Sequence, residues 1–243
     1  MEAWLTGNPQ RQKRLNIVEL GPGSDEREVV RRIVGSYSST IVRLYSTVRF
    51  RVIPLRFLNE LAQYMPDRGR VLDLGCGFGL FTLHFAALKP ASQFVGVDVS
   101  RSRIALAFGS ARKLGIRNTE FICSDVREVE LGDSAFDTIT TLDLLHHLPI
   151  QDGNTIIKKV QSTWLSSHGM FVMKDVTTWP RPMLYFTFLL DLLMNPRDSF
   201  YYRCADAWID LLDQAGFASV EKHYLWDLLP YPHILLIARK RVP

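Results

Sequence analysis

Apolar and polar positions follow two rhythms along the chain. From residue 70 onward, apolar runs of strand length occur in RVLDLG, QFVGVD, TEFICSD, FDTITTLD and GMFVMKD. Between them, SRIALAFGSARKLG and GNTIIKKVQSTWLSS space their apolar residues three and four apart. Short apolar runs alternating with helical periods predict an α/β sheet whose mainly parallel strands are joined by helices. ADAWIDLLDQAGF supplies another helix, and ASVEKHY and PHILLIARK read as the final strands. Ahead of the sheet, DEREVVRRIVGSY and RFRVIPLRFLNELAQYM carry helical spacing, whereas GNPQRQKRLN is polar and irregular.

One segment breaks the alternation. Residues 177–202 are long for an α/β connection and contain PMLYFTFLLDLLM, apolar on most helical faces, started by Pro182 and stopped near Asn195-Pro196. Asp191 and the shortness of the run argue against a membrane span. The segment reads as packing over the sheet, as a dimer interface, or as a lid over an apolar substrate, with peripheral membrane contact a lesser alternative. The expected organisation is an N-terminal helical extension or substrate cover over residues 1–67. A main domain follows over 68–243, with 177–202 inserted as a lid.

Composition narrows the class. At 243 residues, 47% apolar and 22% charged, the chain can bury a substantial core. Cys76, Cys123 and Cys204 are odd in number and lack CxxC spacing, which suggests neither a disulfide framework nor a metal site. With no secretory leader pattern, the expectation is a cytoplasmic protein, membrane association remaining open. The net charge of +4 is uneven: residues 1–70 hold 12 Lys/Arg against 7 Asp/Glu. Such a segment could meet phosphate or an anionic bilayer, but a solvated face explains it equally. Nucleic acid is not an expected partner, because no recognition module accompanies the charge.

The candidate chemistry starts in VLDLGCGFGLF, where Gly75, Gly77 and Gly79 follow a strand and let backbone approach a ligand. Leu80 stands where a dinucleotide GxGxxG motif needs its third glycine, so a nicotinamide cofactor is disfavoured. The next helix, expected to start near Phe78, would aim free amides at a small carboxylate. Asp98 ends the second strand, where a carboxylate can accept from a ribose diol, and Asp125 ends the third. In a parallel sheet these ends share the ligand-binding rim.

This ordered set resembles the class I S-adenosylmethionine-dependent methyltransferases over most of residues 68–175. The resemblance implies a Rossmann-like sheet of seven strands, mainly parallel, with one antiparallel strand at the edge. It implies S-adenosyl-L-methionine as cofactor, S-adenosyl-L-homocysteine as product, and no metal. Asp73, Gly75, Cys76, Gly77 and Gly79 match the loop holding the methionine portion, with Asp73 near its amino group or ordering the loop. Asp98 matches the ribose-binding acid, with Val99 beside it. Asp125 matches the residue receiving the adenine amino group, while Cys123, Ser124 and Val126 line the adenine slot. In FDTITTLDLLHHL, Leu142, Asp143 and His146 or His147 approach cofactor and substrate. A narrower likeness, carried by VRFRVIPLRFLNEL, LFTLHFA, LDLLHHL, MKDV, FYYRCADAWIDLLDQAGF and PYPHILLIARK, is to methyltransferases of bacterial aryl-polyene or fatty-acid-like pathways. It implies a small aromatic or polyene acceptor, with an acyl carrier protein and a homodimer as candidate partners.

The expected activity is methyl transfer to a small apolar or aromatic acceptor by in-line substitution. Alternatives are methylation of a membrane-associated quinone or lipid, and a non-catalytic cofactor-binding assembly protein. In-line transfer needs alignment more than covalent help. A phenol near pKa 10 gains from a histidine base near 6.5, which makes His146, or alternatively His147, the candidate base. Asp143, Lys174, Asp175, Tyr185, Tyr201, Tyr202 and His233 are the candidate substrate contacts; structural ion pairs, caps and packing are the competing roles. Oxygen, carbon and nitrogen acceptors all remain open.

Overall fold

The apolar runs become strands that are covered on both faces. The computed structural model describes residues 25–53, 55–133, 135–194, 199–225 and 231–240. Five parallel strands, β1 (Arg70–Leu74), β2 (Gln93–Asp98), β3 (Thr119–Cys123), β4 (Phe136–Leu142) and β5 (Leu165–Val176), join β6 (Phe217–Leu225) and β7 (His233–Lys240). The sheet order is β3-β2-β1-β4-β5-β7-β6. The antiparallel strand is β7, but it is not at the edge as the resemblance implies. It pairs antiparallel with β5 on one side and β6 on the other, which leaves the largely solvated β6 as the edge. Strand order reverses at β1, flanked by β2 and β4, and this is where a doubly wound sheet opens a crevice at its carboxyl ends.

Two apolar clusters sandwich the sheet. On one face, Val71, Phe94, Val172, Leu235 and Ile237 pack with Leu83 and Phe85 of α4 (Leu80–Leu88) and with Ala111 and Leu114 of α5 (Arg101–Leu114). The same cluster takes Val29 and Ile33 of α1 (Glu26–Ser36), Phe50 of α2 (Thr40–Val52), and Leu58 and Leu61 of α3 (Leu55–Ala62). On the other face, Leu72, Ile139, Phe171 and Ile234 pack against Ile156 and Ile157 of α6 (Ile150–Lys159), Trp164, and Trp208 and Leu212 of α8 (Ala205–Gln214).

The N-terminal helices differ from the sequence pattern in one respect. RFRVIPLRFLNELAQYM is divided between two helices: its first part ends α2, which already starts at Thr40, and the rest forms α3. Ser39 caps α2 through its Oγ, which accepts from the Val42 amide, so a serine-rich stretch that looks like a turn is the helix start. The apolar run forms the expected helix, α7 (Arg181–Met194), whose stop near Asn195-Pro196 lies outside the described residues, as does GNPQRQKRLN. A bridge between Thr177 and Arg203 brings the two ends of this excursion together.

Candidate functional site

The glycine loop folds back over β2. The Gly75 and Cys76 amides both donate to the Val97 carbonyl, at 2.8 and 3.0 Å, and the Gly79 amide donates to the Cys76 carbonyl at 2.9 Å. The three glycines serve different ends. A Cβ on Gly75 would meet Leu144, and one on Gly79 would meet Ala107 and Phe121, so these two are small because protein packs against them. Gly77, at φ +57°, would place its Cβ in open space, and only there does the loop offer bare backbone to a ligand. The helix begins at Leu80 rather than near Phe78, with Gly79 as its left-handed cap.

Beneath the loop, Asp73 is buried and accepts from Thr82 Oγ1 at 2.5 Å and Thr140 Oγ1 at 3.0 Å. Burial, helped by the charge of Asp98 and opposed by the two hydroxyls, pushes its carboxyl up to about 6. Both of these bonds stay within the fold and order the loop. Asp98, at the end of β2, takes the Gly77 amide on Oδ2 at 3.0 Å and the Ser100 amide on Oδ1 at 2.8 Å. The loop and the β2 rim are therefore one hydrogen-bonded unit. Val99 and Cys123 stand exposed beside it, and Leu142 is buried at the end of β4.

Asp125 departs from expectation. It lies two residues past β3 rather than at its end, and Arg127 holds its carboxylate through its amide and Nε, both at 2.9 Å, and Nη2 at 2.5 Å. These bonds keep Asp125 below the usual carboxylate range. Arg127 also reaches Asp152 at 3.1 Å, so this acid anchors a turn, with Ser124 bonded to its carbonyl and Val126 buried behind. The residues fit the expected cofactor at the Gly77 flank and the Asp98 carboxylate; at Asp125 only lone pairs left over from Arg127 remain.

A second, buried polar cluster adjoins this rim and is centred on Asp143, which follows β4 at φ +61°. Lys174 of β5 donates to its Oδ1 at 2.5 Å, Arg49 of α2 pairs with its Oδ2, and His233 Nε2 lies 3.8 Å away. Burial would raise the Asp143 carboxyl, but the charges of Lys174 and Arg49 hold it well below its ordinary value. Burial and the cations beside it push His233 well down, hence neutral, and burial also lowers Lys174.

His146, buried in the short 3-10 turn Leu145–His147, bonds through Nδ1 to Asp175 Oδ1 at 2.6 Å. Asp175 is itself fixed by the Leu145 and Val176 amides, at 3.0 and 2.7 Å. Burial would lower the imidazole, but Asp175 and the acids behind it raise it above 6.5. Its Nε2 faces Asp191 of α7 at 3.7 Å, and Asp191 accepts from the Tyr202 hydroxyl at 2.7 Å. The Tyr202 ring stacks on His146 with centroids 5.6 Å apart. His147 turns its ring edge-on to Phe200 at 5.3 Å, while Tyr201 meets His146 only through its amide, at 2.7 Å.

Of the candidate substrate contacts, Asp143, Lys174, Asp175, Tyr202 and His233 are thus brought together. Tyr185 is not: its side chain is exposed on the outer face of α7. Arg49, Asp191 and Tyr231, which stacks on His233 at 5.0 Å, belong to the cluster and are not singled out as contacts by the sequence. Asp191 had a signal, being the lone acid in an apolar helix. Arg49 had none that distinguishes it from Arg43 and Arg51 on the same helix.

Residues 71–167 match the family described as a methyltransferase domain. Over 115 residues, 47% of this chain and 31% of the relative, the sequence is 32% identical to pavine N-methyltransferase of Thalictrum flavum subsp. glaucum. Over 119 residues, 49% of each protein, it is 30% identical to carboxy-S-adenosyl-L-methionine synthase of Nautilia profundicola. The chain therefore spans from 31% to 49% of the length of these relatives. A solved S-adenosylmethionine-dependent methyltransferase from Methanosarcina mazei superimposes with a TM-score of 0.61 at 20% identity, over 76% of this chain and 98% of that one. The family match takes in the glycine loop, Asp98 and Asp143, and ends before Lys174, Asp191 and Tyr202. The glycine loop and the acid-tipped β2 thus lie in a segment that is similar to methyltransferase domains, on a sheet that shares the fold of that solved methyltransferase.

Proposed function

We propose that the chain transfers a methyl group from S-adenosylmethionine to a small apolar or aromatic acceptor that sits against the Asp143 cluster, under α2 and α7. The observation that carries this reading is the adjacency of two unlike sites. A hydrogen-bonded Gly77–Asp98 rim suits a nucleoside cofactor, and beside it lies a buried set of charges walled by the rings of Tyr202, His146, Tyr231 and His233. Bound cofactor supplies an electrophilic methyl group on a sulfonium. Asp98 holds the ribose, Gly77 leaves room for the tail, and Asp73 keeps the loop in shape.

On the acceptor side, Asp175 fixes the His146 ring so that only Nε2 can take a proton, the arrangement of an oriented general base. Nε2 is closed off by Asp191 and Tyr202, so α7 acts as a lid that must shift for an acceptor hydroxyl to enter. Lys174 and Arg49, sharing one carboxylate between two cations, orient an oxyanion. His147, packed on Phe200, is the weaker candidate. The test is transfer from labelled S-adenosylmethionine to hydroxybenzoic acids, carrier-linked polyenes, quinone precursors, lipids and tRNA. Label on a small phenol or polyene is expected; transfer confined to tRNA refutes the proposal. S-adenosylhomocysteine binding with no transfer to any arm favours the assembly-protein alternative.

A further inference from the structure

Two helices of this protein hold a charge inward and carry an apolar stripe outward. On α2, Arg49 points inward to Asp143, while Ile41 (80% exposed), Leu44 (66%), Val48 and Arg51 form a stripe along the solvent face. On α7, the inward group is again the charged one: Asp191 faces His146 and Tyr202. Its outer positions are Tyr185 (70% exposed), Phe188, Leu189 (63%), Leu192 and Leu193 (74%), with exposed Trp179 just ahead of the helix. A surface helix in water normally does the reverse. Both helices reach the same cluster of buried charges, α2 through Arg49 and α7 through Asp191, beside the candidate acceptor site.

We infer that these faces of α2 and α7 provide docking faces for an anionic lipid bilayer. Charge selects the occupant. The described residues of α2 and α7 contain no carboxylate except the inward Asp191, while Arg43, Arg51 and Arg181 are exposed beside the apolar positions. Apolar side chains that bury to the acyl boundary, arginines that reach phosphate headgroups, and an indole and a phenol at the margin are the composition of an interfacial helix. A protein partner or a second copy would be met better by a mixed rim carrying both signs of charge. At 14 residues, α7 is about 21 Å long. It can lie in the interface but not cross it, and no helix among the described residues is long and apolar enough to span a membrane. The inference does not depend on methyl transfer.

The test is sedimentation of the full chain with vesicles of phosphatidylcholine alone or mixed with phosphatidylglycerol. The chain is expected to pellet with the mixed vesicles, less so as salt rises, and to bind phosphatidylcholine at least about tenfold more weakly. Leu189→Asp with Leu193→Asp should abolish pelleting. Arg51→Glu with Arg181→Glu should weaken it about tenfold or more. Both pairs lie at exposed positions, and thermal unfolding at the unmodified chain's midpoint verifies that each variant folds. Failure to pellet with either vesicle, or undiminished binding by the folded Leu189→Asp, Leu193→Asp variant, overturns the inference. So does a dimer, in light scattering, that this variant converts to monomer while the unmodified chain ignores vesicles, since a second copy would then be the occupant.

Discussion

Gly77 and Asp98 make separable contributions to one crevice. A methyl group on Gly77 meets no protein atom, so Gly77→Ala loses only the left-handed backbone preference, roughly 1–2 kcal/mol of stability. It should nevertheless weaken S-adenosylhomocysteine binding by calorimetry, because the new Cβ occupies the ligand's side of the loop. Gly75→Ala adds a clash with Leu144 and should lower the unfolding midpoint further. Asp98→Ala removes a charged acceptor and is expected to reduce cofactor affinity roughly tenfold or more; unchanged affinity in a folded variant rejects the ribose role. His146→Ala should lower turnover more than cofactor affinity. Because His146 is raised above 6.5, its charged form contributes stability that is complete below that value and is lost as pH rises through the higher folded value. A base must be neutral, so turnover should climb over the same upper range, and Asp175→Asn should move that climb to lower pH. These residues were legible in the sequence because a strand end, a tight turn and a helix start are local events. Asp125 lies past the end of β3, where Arg127 claims its carboxylate through a turn that strand periodicity does not describe.

At the scale of elements, α2 and α7 show what patterning leaves out. The helical register of α7 carries no phase information when most positions are apolar, so nothing in PMLYFTFLLDLLM says that Tyr185 faces out while Asp191 faces in. The start of α2 hid in SYSST, where serines that usually mark turns instead supply a cap. Arg49 reaches Asp143 across 94 positions of sequence, a contact that only the closed fold defines. Its removal tests how firmly α2 is held. Arg49→Ala deletes a hydrogen bond between charged groups, a loss of roughly 1.5–3 kcal/mol, tempered because Lys174 still answers Asp143. Hydrogen exchange should accelerate at the α2 amides and not in α6 or α8, which pack on the opposite face of the sheet. Uniform acceleration across the molecule would mean that Arg49 supports the whole fold rather than this one cover.

For the whole molecule, alternating strands and helices predicted the parallel sheet, and the class of fold followed from that alternation. The position of β7 did not, because two apolar runs in succession are compatible with either order at the edge. Placing β7 between β5 and β6 sets the sequence in which the sheet can be finished. β5 ends at Val176, its neighbour begins only at His233, and β6 is synthesised in between without a native strand to lie against. During translation the outer backbone of β5 therefore waits, its amides and carbonyls open to chaperones or to the same edge on a neighbouring nascent copy. Ribosome-stalled chains should turn protease-resistant in one step when Lys240 clears the exit tunnel, and a chain stopped after Leu225 should partition into the insoluble fraction.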